Sequence, residues 1–310
     1  MKTTFEFKTL TDFTDYFCDE ETCRKHYAEI RFGNGGYCPH CGHKEIYTFK
    51  DGKRYRCASC KQDFTIKTGT VFGESKLPLR KWFMAIYLLS NSSKGISSVQ
   101  LAKHVGVTQK TAWFMAHRIR EAHQQNKGQL VGKIEADETF IGGLSKNMHK
   151  AKREATIKGT GGTGKTPIFG MKSRDGEVRA KVVQSVGMAE LHKELKSNVT
   201  QGATLYTDRW VAYRGLAAQF NHSTVDHGAK EYVNGDCHTN GIESFWALFK
   251  RGYHGVYHQM SKKHLQRYVN EFAFRFNRKA HSMQFVFSDV VAKVAASTQL
   301  PYKTLIQKTV

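Results

Sequence analysis

The sequence predicts an α/β protein in which helices cover a hairpin-built sheet, with a metal-bound ribbon and a helical pair ahead of it. Three observations carry that prediction. Two Cys-x-x-Cys pairs, Cys38-Pro-His-Cys41 and Cys57-Ala-Ser-Cys60, lie close together near the start. Helical periodicity runs from Leu79 to His123, interrupted at Gly106. Beyond Gly128, strand-like stretches come first and amphipathic helical stretches follow, the order of a layered α/β unit. The expected division is 1–75 for an N-terminal region with the ribbon, 76–128 for the helical pair and 129–300 for the α/β unit.

Each Cys-x-x-Cys presents two sulfurs from one tight turn, and the Tyr/Lys/Arg-rich stretch between the pairs is long enough for a β-hairpin. Cys38, Cys41, Cys57 and Cys60 are therefore expected to hold a structural Zn²⁺, with His40 and His43 as neighbouring competitors. The remaining cysteines, Cys18, Cys23 and Cys237, are expected to be free thiols. In the helical region Trp82, Ile86 and Leu89 share a face. The next segment reads as a helix-turn-helix: Val99 and Ala102 pack the first helix and Gly106 permits the turn. Thr108 caps the second helix, and Gln109, Lys110 and Thr111 project from its start.

In the α/β region, Ile134–Ile141 is the first expected strand. Pro167–Lys172 and Glu177–Val186 flank an Arg174-Asp175-Gly176 turn, and Thr204–Thr207 is a further strand. Helices are expected over Met188–Ser197, Arg209–Phe220, Gly241–Lys250 and Lys262–Lys279. Three acids stand out against this frame. Asp137 and Asp208 are read at the ends of short strand-like apolar stretches, and Glu243 opens an amphipathic helix. They look like a divalent-metal site for phosphodiester chemistry, with oxygen ligands that suit Mg²⁺ or Mn²⁺. Lys250 follows Glu243 by close to two helical turns and shares its face, opposite the stripe Ile242, Phe245, Trp246 and Phe249. Asn240, one turn before Glu243, has three open roles: metal ligand, water-positioning amide or helix N-cap. His238 sits close by.

Lys and Arg outnumber Asp and Glu by 48 to 27, a net charge of +21, and both halves are basic. Such a surface favours a polyanion, and nucleic acid is the expected partner. No eighteen-residue apolar run occurs, and Met1-Lys-Thr-Thr-Phe-Glu-Phe-Lys lacks the apolar stretch of a signal peptide, so a cytoplasmic, nucleoid-associated protein is expected. The segment from Gly159 to Thr166 matches the P-loop pattern but lacks an apolar strand before it and a helix after it. A flexible basic loop, with lysines and arginine at 146, 150, 152, 153, 158 and 165 for phosphate contact, is the better reading.

These residues resemble insertion-sequence transposases of the IS1595 family (ISXO2-like) over nearly the whole chain. The resemblance runs through the ribbon, Thr68-Gly-Thr-Val-Phe, Ser75-Lys-Leu-Pro-Leu-Arg-Lys-Trp82 and Gly95-Ile-Ser. It continues through Lys110-Thr-Ala-Trp113, His117-Arg-Ile-Arg120, Asp137-Glu-Thr-Phe-Ile-Gly-Gly143, Thr207-Asp208, Asn240-Gly-Ile-Glu-Ser-Phe-Trp246 and Lys250-Arg-Gly. It implies an RNase H-like catalytic domain, a DDE-type site and DNA transposition, with Asp137, Asp208 and Glu243 as metal ligands and Lys250 as the lysine after the third acid. The family uses an acid or an asparagine at the third position, and this chain offers both Glu243 and Asn240. The carboxylate is favoured because its charge adds to metal affinity. The expected reaction is two-metal cleavage at the terminal inverted repeats, followed by attack of the freed 3′-hydroxyl on target DNA. Joining two ends implies at least a dimer. The alternatives are a ribbon and helix-turn-helix regulator, a P-loop ATPase, and an inactivated transposase.

Overall fold

The computed structural model of the chain describes residues 6–33, 35–125, 128–143, 147–156, 162–229, 233–298 and 300–307. Two compact units divide it, residues 1–124 together with 280–310, and residues 125–279.

The first unit opens with α1 (Leu10–Tyr16) and α2 (Glu20–Phe32). The Thr9 hydroxyl accepts the Asp12 N–H, and the Asp12 carboxylate accepts the Thr9 N–H, a capping box that starts α1. Next comes an antiparallel sheet of β1 (Ile46–Thr48), β2 (Arg54–Cys57) and β3 (Asp63–Thr65). Its β1–β2 hairpin lies between the two cysteine pairs, as their spacing predicts. The helices α3 (Leu79–Asn91), α4 (Ser98–Val105) and α5 (Gln109–Glu121) follow. Pro78 gives α3 no side-chain cap, and Glu20 from α2 takes its place, accepting the N–H groups of Leu79 and Arg80 at 2.8 and 3.0 Å. Between α4 and α5, Gly106 sits at φ 66°, and the Thr108 hydroxyl accepts the Thr111 N–H at 3.2 Å. Val99 is 53% exposed, contrary to the packing expected of it; the buried face of α4 is Leu101, Ala102 and Val105. Leu101 and Val105 are one helical turn apart, which turns Val99 away from them.

In the second unit the elements are β4 (Lys133–Ile141), α6 (Lys150–Thr156), β5 (Thr166–Ser173), β6 (Val178–Val182), α7 (Met188–Asn198), β7 (Thr204–Asp208), β8 (Asn221–Val225), α8 (Asn240–Gly252) and α9 (Leu265–Asn277). The sheet order is β6-β5-β4-β7-β8. β4, β5 and β6 pair antiparallel, whereas β7 and β8 run parallel to β4. One face packs on α8 and α9 through Ile168, Val178, Phe245, Phe249 and Phe272. The other packs on α7 through Ile134, Phe169, Leu191 and Leu195. The predicted stripe of α8 is buried throughout, at 3% exposure for Trp246 and 0% for Ile242, Phe245 and Phe249. Each such side chain contributes roughly 1.5–3 kcal/mol on burial.

Two expected elements differ. The helix predicted for Arg209–Phe220 is a pair of 3-10 turns, Val211–Tyr213 and Leu216–Ala218, because Gly215 takes φ 85° between them. Within the expected basic loop, residues Lys150–Thr156 form α6.

The last helices, α10 (Met283–Ala296) and α11 (Tyr302–Ile306), belong to the first unit. Phe287 of α10 meets Phe7, Phe13, Phe17 and Phe83 with ring centroids 5.6, 5.2, 5.4 and 5.3 Å away. The α/β unit therefore ends at Lys279, short of the expected 300. No helix among the described residues is long and apolar enough to cross a membrane.

Candidate active site

Strand parity decides which acids meet. Ile134 and Ala136 of β4 lie in the core shared with α7, and Ile141 in the core shared with α8. Counting by twos, Glu135 and Asp137 face α8. On β7, Leu205 packs toward α7, so Tyr206 and Asp208 face α8 as well. The strands are in register at Glu135 and Tyr206, which sets Asp208 level with Asp137 two residues on. Glu243 is exposed in the first turn of α8, where its carboxylate accepts the Thr239 hydroxyl at 2.8 Å. Asp208 accepts the Trp210 N–H at 3.1 Å.

Burial pushes the Asp137 carboxyl up to about 6, and the negative charges of Asp208 and Glu243 add to it; the Glu138 N–H and the Lys250 ammonium act in the opposite direction. The charges of Asp208, Glu243 and Lys250 thus all reach Asp137. Carboxylates are hard oxygen donors of the kind that Mg²⁺ or Mn²⁺ takes. Asp137 and Asp208 share a face of the sheet, and with Glu243 they do not close into a tight cage. Among the described residues, the group of three or more His, Cys, Asp or Glu ligand atoms lying within 4.8 Å of one another is the ribbon's Cys38, Cys41, Cys57 and Cys60.

In the ribbon the Sγ atoms of Cys38 and Cys60 are 3.7 Å apart, and those of Cys41 and Cys57 3.6 Å. A tetrahedral site with Zn–S near 2.3 Å needs sulfurs about 3.8 Å apart. Backbone N–H groups of His40 and Cys60 point at the Cys38 and Cys57 sulfurs at 3.4 Å. The four cysteines fit a structural zinc.

A family model described as the ISXO2-like transposase domain matches residues 129–277, and one described as the transposase zinc-ribbon domain matches residues 18–63. A relative from Halobacterium salinarum, described as an uncharacterized protein in transposable element ISH50, is 30% identical over 271 residues, 84% of this chain and 91% of that protein. The chain belongs to the ISXO2-like transposases of the IS1595 family.

Membership in this transposase family implies DNA as a partner. Asn240 is not the N-cap of α8; Thr239 holds that position and Asn240 is the first helical residue, exposed. The Thr239 hydroxyl donates to Glu243, and Glu135 accepts a first-turn N–H, that of Ile242. The P-loop-like segment of the transposase leads straight into β5 at Thr166 rather than into a helix, and its residues 159–161, like Lys146 and Lys158, lie outside the described residues. Glu138 went unnoticed in the sequence. It faces α7, accepts a hydrogen bond from the Tyr213 hydroxyl, and is pushed up to about 8 chiefly by burial. Its neighbour Asp137 marks the site, but only strand parity separates their roles.

Gly170 of β5 lies opposite Asp137. A Cβ there would lie 2.4 Å from Trp246 Cζ2 and 2.9 Å from Ile242 Cδ1, so only glycine lets α8 approach the sheet beside Asp137. Gly170→Ala is expected to cost about 1–3 kcal/mol by overpacking and to reduce DNA cleavage, because Glu243 rides on α8. Thermal melting and a cleavage assay check this; wild-type values in both would show that α8 does not depend on this contact.

Proposed function

We propose that this transposase cuts DNA at the terminal inverted repeats of its own insertion sequence and joins the freed 3′-hydroxyl to target DNA. Asp137, Asp208 and Glu243 would hold Mg²⁺ or Mn²⁺, in a pair of ions, within an RNase H-like unit. The observation that supports this reading best is that Asp137 and Asp208 lie level on neighbouring strands, on the sheet face that α8 covers. Bound there, the divalent cation supplies Lewis-acid assistance to phosphodiester exchange.

The chain's own residues do the rest. The sheet fixes Asp137 and Asp208 on one face, and Thr239 holds the Glu243 carboxylate. Lys250, exposed on α8, takes a phosphate oxygen near the scissile bond. In the first step water attacks phosphorus and the P–O3′ bond breaks, leaving a 3′-hydroxyl on the element. In the second, that hydroxyl attacks a target phosphate and displaces a target 3′-oxygen, so no covalent protein intermediate is needed. The ribbon and the α4–α5 pair recognise the repeats, with Gln109 and Lys110 exposed at the start of α5. At least two copies of the chain act on a pair of ends.

Purified protein incubated with Mg²⁺ and DNA carrying the repeats that flank its own gene tests this. Nicks at the repeat ends, absent with chelator and absent in Asp208→Asn, are the expected result. Repeat binding without cutting by the wild type would leave a DNA-binding regulator or an inactivated transposase.

A further inference from the structure

Glu135 is an acid that the catalytic assignment leaves unused. It precedes Asp137 by two residues on the same face of β4 and is 1% exposed. Its oxygens are engaged elsewhere. Oε2 accepts the backbone N–H of Ile242 at 2.9 Å, Oε1 accepts Arg174 Nε at 3.2 Å, and His238 Nδ1 lies 3.4 Å from Oε1. Arg174, in the β5–β6 turn, also donates Nη1 to Asp236 Oδ1 at 2.7 Å, and Nη2 to the carbonyls of Asp236 and His238 at 2.6 and 3.3 Å. The guanidinium lies 4.4 Å from the Tyr206 ring centroid, and the Tyr206 hydroxyl donates to Asp236 at 3.0 Å. The segment leading into α8 is thereby tied to β4, β7 and the β5–β6 turn.

That tie ends at a helix start that needs it. Thr239 gives α8 no side-chain cap, and the Ile242 N–H is one of the donors a helix N-terminus leaves over. A carboxylate there also meets the positive end of the helix dipole. A Cβ at Gly241 would lie 2.7 Å from Glu135 Oε2, so glycine is what lets the acid reach. A carboxylate this buried is tolerated only when it is paired and hydrogen-bonded, as Arg174 and Ile242 arrange.

We propose that Glu135 and Arg174 form a clamp that sets α8, and with it Glu243, against Asp137 and Asp208. They are positioning residues, not metal ligands. The proposal rests on the reading of Asp137, Asp208 and Glu243 as the catalytic acids.

The test compares full-length wild type with Glu135→Ala, Glu135→Gln and Gly241→Ala. It measures Mg²⁺-dependent cleavage, the Mg²⁺ concentration for half-maximal rate, and hydrogen exchange at the start of α8 without metal. Glu135→Ala is expected to slow cleavage about 10–100-fold, as loss of a partner behind a metal ligand does, to raise the Mg²⁺ midpoint and to speed exchange of the Ile242 amide. Gly241→Ala should do the same. Glu135→Gln, which keeps an acceptor for Ile242, should recover part of the loss. A Gln variant as inactive as Asp137→Asn would make Glu135 a ligand and overturn the clamp. So would unchanged Ile242 exchange in Glu135→Ala, or a lowered melting temperature with rate and Mg²⁺ midpoint intact. Exchange needs neither metal nor activity, so it tests the clamp even if Asp137 and Asp208 variants cleave normally, the outcome that would remove the catalytic reading instead.

Discussion

Asp137→Asn and Glu243→Gln are each expected to lower strand cleavage by on the order of a thousandfold or more, about 4 kcal/mol of transition-state stabilisation, whereas Asn240→Ala stays within about threefold of wild type. The contrast follows from charge. Glu243 raises the Asp137 carboxyl across the site, so its negative charge is felt where a cation would sit. An amide at 240 brings no charge, and it lies exposed at the first helical position. Each acid-to-amide substitution keeps side-chain size and removes one charge, so folding is little disturbed and the loss should fall on the metal-dependent step. Cleavage rates across a Mg²⁺ series check this. Activity kept in Glu243→Gln and lost in Asn240→Ala would transfer the third ligand to Asn240.

What the sequence made legible was whatever repeats at short range. The α8 stripe of Ile242, Phe245, Trp246 and Phe249 is a periodicity within one helix, and it is buried as that periodicity requires. The ribbon is a spacing of four cysteines, and β4 is a short strand-like stretch, although Asp137 lies at its middle rather than at its end. Partnerships that span the chain carry no such signature. Nothing near Glu135 announces that its carboxylate will bind the N–H of Ile242, and nothing near Glu20 announces that it will cap α3. The same holds for α10, whose Phe287 joins rings from the opposite end of the chain. Where local signals fail, at residues 209–220, the segment reads as one helix after Asp208, but Gly215 in the left-handed region breaks it into two turns.

Zinc removal is the other change of large expected effect, and it falls on stability. The small sheet β1–β3 encloses a core whose fully buried members are Cys38, Cys57 and Phe64, with Phe32, Ile46, Tyr55 and Cys60 packed around them. Two of those three buried side chains are sulfur ligands, so the core and the metal site are nearly the same object. Structural zinc contributes about 10–16 kcal/mol to folding in small zinc-binding peptides near neutral pH, far more than one buried phenylalanine and a few half-buried neighbours supply. A strong chelator, or Cys57→Ser, is therefore expected to unfold the ribbon and open residues 36–65 to protease. The loss should stop at α2. Arg31 donates to the carbonyls of Ile66 and Thr68, the latter at 2.6 Å, and Tyr27 and Cys23 are fully buried in the helical core. That anchoring uses no sulfur ligand and survives the metal's departure. Metal analysis should find one zinc per chain, lost together with ribbon protection; a ribbon that resists protease after its zinc is gone would mean that Phe64 and its neighbours hold the sheet unaided.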